Sequence, residues 1–476
     1  MTAYETVIGL EVHVELATAS KIFCTCPTAF GAAPNTQVCE VCAGMPGTLP
    51  VLNRKVVEFA VRAGLATHCA ISPVTRFDRK NYFYPDLPKA YQISQLYLPI
   101  CQDGWLDIAS GDSAKRIGIK EIHMEEDAGK LVHDPWDDAT LVDFNRCGVP
   151  LLEIVSHPDF RSPEEVIDYL ERLRAILQFA GVSDCRMQEG SLRADINVSV
   201  RPVGSDVLGT RTEMKNMNSF KAISRAIAYE SRRQAELISE GGRVVQQTRR
   251  WDENKDASYA MRSKEDAHDY MYFPEPDLPP MHIGEGWIAR IRAELPELPE
   301  ARRDRYTTAF GLSAYDAGLL TDAPATANLF EYATEKTGRP KEAANWILGD
   351  YRKLHNEAGV ASDEAKIDPD ALVAVIRMIE QGRATRDAAR TAFRAAYLEG
   401  LDPDTYIQEH GLGLMKDDGA LRETAARIIA ANPVSVADYR AGKEKALQFL
   451  IGQCMRELRG RADAKTISDT LRELLV

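Results

Sequence analysis

Residues 10–16 alternate strictly between apolar and polar positions. Leu10, Val12, Val14 and Leu16 fall on one side of an extended strand, and Glu11, His13 and Glu15 fall on the other. The apolar side can face a core. The polar side then carries carboxylate, imidazole and carboxylate at steps of about 7 Å. The device recurs. Residues 117–127 read as a strand whose parity puts His123, Glu125 and Asp127 on one face and Ile122, Met124 and Glu126 on the other. Residues 151–155 set Glu153 inside an apolar strand, where a carboxylate is costly unless paired or metal-bound. In 192–201 the inward set is Leu192, Ala194, Ile196, Val198 and Val200, and the outward set is Arg193, Asp195, Asn197, Ser199 and Arg201. Residues 211–216 alternate again, with Glu213 and Lys215 in phase. Several strands with acids, amides and cations on one side predict a sheet with one functional face.

Helical spacing appears between these strands. A helix is predicted over about 55–66. Another opens at Ser162, with Pro163 in its first turn, Glu165 completing a capping box, a stripe of Val166, Leu170, Leu173 and Leu177, and a stop at Gly181. A third is predicted over 218–239, stopped by Gly241 and Gly242. The prolines of 272–280, followed by Pro296 and Pro299, predict the end of the sheet domain and a linker. Beyond them the pattern is helical, with helices expected over 342–356, 369–381 and 386–397 and breaks at 401–403 and 432–435.

At 476 residues, two or three domains are expected. The formal charge of −13 argues against a generic nucleic-acid binder, so any RNA contact must come from a local basic patch. The stretch from Arg440 to Val476 is one candidate, with eight basic side chains against five acidic; a charged, solvated helix face is the alternative. No apolar run approaches the ~20 residues of a membrane span. The absence of a leader pattern, together with nine cysteines, predicts reduced thiols in the cytoplasm.

Cys24, Cys26, Cys39 and Cys42 form a C-x-C and a C-x-x-C pair in a turn-rich segment, the spacing of a tetrahedral structural zinc site. Four free or redox-active thiols are the alternative. Residues 76–86 mix cations with aromatics and can hold phosphates and stack a base, or form an ordinary exposed strand and turn. No G-x-x-x-x-G-K-[ST], G-x-G-x-x-G or G-x-S-x-G motif occurs, so a P-loop or Rossmann nucleotide site and an esterase-type nucleophile are not expected. Acid clusters beside lysines and arginines fit metal-assisted chemistry on a phosphate. Two rival readings share these features: a free-standing metal-dependent phosphotransferase, and a zinc-stabilised RNA-binding scaffold with structural carboxylates.

Residues 7–13, 77–86, 123–130, 190–197, 215–220 and 269–278 together resemble the B subunits of tRNA-dependent amidotransferases, in order along the whole chain. The resemblance implies an α+β fold. An N-terminal cradle domain with a mainly antiparallel sheet and flanking helices would span 1–293, an all-α helical domain 294–408, and an α-helical YqeY-like tail that contacts tRNA 409–476. It implies a carbon–nitrogen ligase that uses ATP and Mg2+ to phosphorylate the side-chain carboxylate of misacylated Glu-tRNA(Gln), Asp-tRNA(Asn) or both. Ammonia freed from glutamine by an A subunit would then displace the phosphate, with a C subunit completing the complex and the cognate non-discriminating aminoacyl-tRNA synthetase a further expected partner.

Transferred position by position, the resemblance assigns Mg2+ to Glu11, His13, Glu126 and Glu153, although strand parity favours Glu125 over Glu126. It makes Asp195 and Glu213 further acids of the site and places Lys80 and Lys89 at the ammonia channel mouth. On residue type and placement, Lys215 joins the catalytic set, and Lys80, Asn81, Tyr82, Arg193, Asn197 and Asn216 are expected to contact ATP or substrate. Lys443, Lys445, Arg456 and Arg459 are the expected tRNA contacts. The four cysteines occur in part of the family, so Zn2+ is expected to hold a loop and not to act in the chemistry. Most relatives carry Arg where this chain has Met271, which puts a cationic role there in doubt.

Overall fold

The computed structural model describes residues 3–110, 113–133, 138–263, 270–359, 367–414, 418–458, 461–462 and 464–475. The chain divides into two compact units, Met1–Pro299 and Glu300–Val476. In the first, the strands in chain order are β1 (Tyr4–Glu15), β2 (Ala70–Ile71), β3 (Val74–Thr75), β4 (Asp78–Asn81), β5 (Tyr91–Ser94), β6 (Cys101–Ser110), β7 (Ser113–Glu126), β8 (Lys130–His133), β9 (Thr140–Asp143), β10 (Pro150–Ser156), β11 (Leu192–Pro202), β12 (Thr212–Lys215), β13 (Gln247–Asp252), β14 (Ala257–Ser263), β15 (Met271–Pro274) and β16 (Met281–His282). Helices α1 (Arg54–Ala66), α2 (Pro163–Phe179), α3 (Phe220–Ser239) and α4 (Glu285–Glu294) accompany them.

Nine strands make the main sheet, in the order β14-β13-β12-β11-β1-β10-β7-β6-β2. Every neighbouring pair is antiparallel except β12 and β13. Because β1 sits at the centre, its alternation divides the sheet into two chemically different faces. Val12 and Val14 are fully buried in the core, with Leu152, Ile154, Ile196 and Val198 beside them. Helices α1, α2 and α3 contribute Val61, Leu170, Leu173 and Ile223 to that core. The other face carries the polar set.

The α2 start has the predicted Ser162 cap, with the Glu165 side chain bonding one residue earlier than a capping box requires. The Ser162 side chain accepts from the Glu165 amide, and Glu165 reaches back to the Arg161 amide at 2.7 Å. The proline-rich stretch is not a linker. Residues Met271–Pro274 pair with β4, and Met281–His282 pair with β3. β15 is the edge of a three-stranded sheet, where the missing N–H of Pro274 breaks no ladder. The fully buried Glu275 carboxylate then locks the segment through Arg79 at 2.6 and 2.9 Å.

The second unit is helical and holds two separate apolar cores. One is built from Tyr306 to Ile407 and the other from Leu421 to Leu475. The single helix expected over 342–356 is interrupted by a π-turn at Ile347–Tyr351, between helices Pro340–Trp346 and Arg352–Ala358. The widened turn lets Trp346, Ile347, Tyr351 and Leu354 all point into the core. Pro403 and Pro433, read from sequence as breaks, each occupy the first turn of a new helix, where the absent N–H costs nothing.

Behind the polar face, Glu230 of α3 is fully buried. It accepts from Thr212 Oγ1 at 2.7 Å, Gln234 Nε2 at 2.8 Å and the Arg233 guanidinium at 2.6 and 2.8 Å. These bonds fasten α3 to β12. Glu230→Ala leaves a hydroxyl, an amide and a guanidinium without their shared acceptor, and is expected to cost about 3–5 kcal/mol. Urea unfolding of the purified protein tests this: the midpoint of the N-terminal unit's transition should fall sharply, and an unchanged midpoint contradicts the assignment.

Candidate active site

Register alone assembles the polar cluster. In the β1–β10 ladder His13 lies opposite Glu153, and in the β10–β7 ladder Glu153 lies opposite His123 and Leu151 opposite Glu125. In the β1–β11 ladder Glu11 faces Asp195 and His13 faces Arg193, while β12 sets Glu213 opposite Asn197. All of these side chains except His123 line a cleft of about 1240 Å³, with Lys80, Asn81 and Tyr82 from the end of β4, Tyr270, Arg211 and Thr248 around it.

At its floor, ligand atoms of His13, Glu125 and Glu153 lie within 4.8 Å of one another. His13 Nε2 is 3.5 Å from Glu125 Oε1. Burial pushes the Glu125 carboxyl up, and the Glu153 charge pushes it further, against the pull of His13 and Lys80. Burial likewise raises Glu11, with Glu153 adding to it, although Asn197 Nδ2 donates to Glu11 Oε1 at 3.0 Å. Two carboxylates and an imidazole that crowd one another under partial burial suit a hard divalent cation, whose charge would offset both the repulsion and the desolvation.

Cations ring the acids. Lys215 bonds Asp195 and lies 3.3 Å from Glu213 Oε1, while Thr248 Oγ1 donates to Glu213 Oε2 at 2.6 Å. Burial works against the Lys215 charge, but Asp195 and Glu213 outweigh it and hold the ammonium above the ordinary lysine value. Lys80 is treated alike: burial opposes its charge, and Glu125, Tyr272 and Glu153 more than restore it. At the end of β1, burial and the neighbouring Asp127 raise Glu15 to about 7, while Arg193 Nη2 binds Asp127 Oδ2 at 2.6 Å.

Three expectations need correcting. Glu126 is not in the cluster; Glu125 is. The ladder from Pro150–Glu126 to Glu153–His123 is unbroken, and the register shift in that ladder lies at Val155/Ser156, too far away to swap the faces. Glu126 instead accepts from Lys89 Nζ at 2.5 and 2.6 Å and from the Ile93 amide at 2.9 Å. Second, Lys80 and Lys89 do not share a cavity. Lys89 lines a separate one of about 260 Å³ beside the cysteine loop, where a Cβ on Gly44 (φ +68°) would sit 2.4 Å from Lys89 Cγ. Third, Asn216 does not line the cleft. It takes a left-handed turn after β12 (φ 69°) and donates to the Trp251 carbonyl at 3.1 Å.

Residues that the pattern did not single out also line the cleft or support it. Arg211 and Thr248 join the wall from the β12–β13 side, and Arg146 joins Asp127, which strand parity had already placed on this face, around Glu15. Met271 is exposed at the cleft wall, where it offers no charge.

The four thiols of Cys24, Cys26, Cys39 and Cys42 also converge, with their sulfurs within 4.8 Å of one another. The Cys39 amide points at Cys42 Sγ at 3.2 Å, and the Cys24 thiol's hydrogen bond draws Cys42 below its ordinary value against the effect of burial. All-sulfur donors in this arrangement fit a tetrahedral zinc ion with no open position.

In the second unit, Lys445 and Arg456 are exposed and make no ion pair among the described residues. Lys443 is tied to Asp438 at 2.9 Å, and Arg459, like Asp269 of the 269–278 motif, lies outside the described residues. Among the described residues no helix is long and apolar enough to cross a membrane.

Residues 6–289 match the family described as GatB/GatE catalytic domain, and residues 328–475 match the GatB domain family. The chain is 58% identical over 475 residues to a protein of Lachnoclostridium phytofermentans named as the B subunit of an aspartyl/glutamyl-tRNA(Asn/Gln) amidotransferase, covering 100% of this chain and 99% of that one. Relatives of the same name from Caldicellulosiruptor saccharolyticus, at 54% identity with 99% of each chain covered, and Agathobacter rectalis, at 53% with 100% of each, agree end to end. With the sheet, its inward-facing acids and the helical second unit all falling within that alignment, the chain belongs to the family of amidotransferase B subunits.

Proposed function

We propose that this chain activates the side-chain carboxylate of a misacylated tRNA, Glu-tRNA(Gln), Asp-tRNA(Asn) or both, by ATP-dependent phosphorylation and then converts it to the amide. The observation that carries this reading is the convergence of His13, Glu125 and Glu153 at the floor of a cleft walled by Lys80, Arg193 and Lys215. A substrate carboxylate oxygen attacks the γ-phosphorus, the bond to the bridging oxygen breaks and ADP leaves. Ammonia then attacks the acyl carbon, the carbon–oxygen bond breaks and phosphate leaves. The A subunit is the source of the ammonia and the C subunit completes the assembly.

Within the cleft, two negatively charged reactants must approach each other. His13, Glu125 and Glu153, with Glu11 alongside, would hold Mg2+, whose charge would neutralise the carboxylate and the polyphosphate. Lys215, fixed by Asp195 and Glu213, and Lys80, held charged by Glu125, are the cations that receive phosphate oxygens. Asn197 orients Glu11 through its 3.0 Å bond. Arg193 is held by Asp127 at the other end of the cleft and can take a substrate oxygen. Lys89 and Glu126, on the reverse side of β7, belong to the ammonia route and not to the phosphorylation site. Zinc on the four cysteines is structural.

Two adjacent glutamates separate these roles. In the reconstituted complex, Glu125→Gln should lower aminoacyl-tRNA-dependent ATP turnover by about 10²–10³-fold, the scale of losing one charge-positioning group, and weaken Mn2+ binding read by water-proton relaxation. Glu126→Gln should leave Mn2+ binding and ATP turnover near the parent while glutaminase of the A subunit persists in both. The opposite ranking overturns the site assignment.

The tail is the second arm of this reading: its helices hold tRNA phosphates through exposed cations, with Lys445 and Arg456 foremost. The cut that tests it belongs before Asp418, because Leu421, Ala425 and Ile428 are part of the tail's own core. Removing residues 418–476 should weaken tRNA binding and flatten the log–log salt slope by about 1 for each phosphate no longer held. The cost should appear mainly in KM for the aminoacyl-tRNA. Equal affinities at two salt concentrations for the full and shortened complexes would show that the RNA is held elsewhere.

A further inference from the structure

Lys21 is an anomaly in the cysteine loop. It is 0% exposed, among the largest fully buried side chains of the protein. Removing an ammonium from water costs several kcal/mol unless an anion compensates it. Among the described residues its Nζ has two hydrogen-bond partners, the Gln37 carbonyl at 2.8 Å and Cys42 Sγ at 3.5 Å, and no carboxylate pairs with it. A single carbonyl dipole does not balance a buried charge.

The surroundings are shaped for this lysine. Its backbone amide donates to the Cys26 carbonyl at 3.0 Å, so the residue is laced into the loop that carries the thiols. Its stem runs past Gly148 (φ +79°), where a Cβ would lie 3.6 Å from Lys21 Cδ and 3.7 Å from Cys42 Cβ. The adjacent Ile22 amide bonds the Gly148 carbonyl at 2.9 Å, which fixes the lysine against β10's approach. Gln37, whose carbonyl takes the ammonium, stands two residues before Cys39 and is itself pinned when its amide donates to Asn145 Oδ1 at 2.8 Å.

The missing anion is supplied by the thiols themselves. A divalent ion on four thiolates carries a net charge of −2, and a half-buried dianion has the same desolvation problem as the buried lysine, with opposite sign. Each charge removes the other's penalty. We infer that Lys21 is the counter-ion of a tetrathiolate metal centre, a positioning residue that touches one ligand sulfur and sets how firmly the metal is held. This rests on the metal reading of the four cysteines. It adds a residue that the cysteine spacing alone does not reveal. Hydrogen-bonded partners just outside a metal's ligands typically govern its affinity by 10–100-fold.

The test uses the full-length protein with zinc and a chromophoric chelator. Release from Lys21→Met should be faster than from the parent by about 10-fold or more. Lys21→Gln, which keeps a donor for the Gln37 carbonyl but no charge, guards against misfolding of the first variant and should also release faster. Charge is separated from packing by the Cys39→His background, where one thiolate is replaced by a neutral ligand and the centre falls to −1. There the loss of Lys21 should matter less. A parent protein that binds no zinc would defeat the metal reading itself. A parent that binds zinc, with Lys21→Met and Lys21→Gln releasing it at the parental rate, would overturn this inference alone. So would an effect of equal size in the Cys39→His background, because Lys21 would then act through volume and not charge.

Discussion

Like charges held together beneath a partly closed surface are the constraint on which this structure turns. Glu11, Glu125 and Glu153 approach one another on one face of a sheet, and burial together with the neighbouring Glu153 charge disfavours the charged forms of Glu11 and Glu125. No flexible arrangement would keep such a set assembled. The sheet does so because each acid is fixed by backbone register on a different strand, β1, β7 and β10, and the opposite face of those same strands is sealed by a large apolar core. The hydrophobic burial on one side sustains the electrostatic tension on the other, and that tension makes the cluster receptive to a cation.

The cations of the cleft are held in the same way. Lys215 is not free to collapse onto the central acids, because Asp195 and Glu213 hold it and Thr248 holds Glu213 in turn. Arg193 is restrained by Asp127. Positive and negative groups therefore stand in one pocket without neutralising each other completely. That arrangement can receive a polyphosphate and a carboxylate at once.

Much of this was legible in the chain. Period-two alternation revealed β1, β7 and β11, because the two faces of each strand meet such different surroundings that the sequence must differ between them, and β10 stood out as an apolar strand interrupted by Glu153. Parity also pointed to Glu125, which the structure places in the cluster where family resemblance had named Glu126. Other parts were hidden for identifiable reasons. Thr248 arrives through the parallel pairing of β12 with β13, and a local pattern says nothing about a partner strand reached through a helix. The strand Met271–Pro274 was disguised by its proline, which an edge position tolerates. The π-turn at Ile347–Tyr351 was hidden because an apolar stripe looks nearly the same at a spacing of four or five. Asn216 read as a ligand because amides bind phosphates, yet amides also suit left-handed turns. Lys21 carried no signal at all: a lysine in a polar loop looks solvated until its burial is seen.

The neighbouring glutamates of β7 show what period-two geometry does to tolerance of change. Glu125 and Glu126 are one residue apart but open into different cavities, one beside His13 and the other beside Lys89. A substitution in this strand alters one chamber at a time. Gaining or losing a single residue upstream of them within the ladder would instead exchange the two compartments and turn Met124 out of the core in the same stroke. Over evolutionary time, β7 can therefore drift in composition but not in length, and changes of chain length are pushed out into the connections between strands.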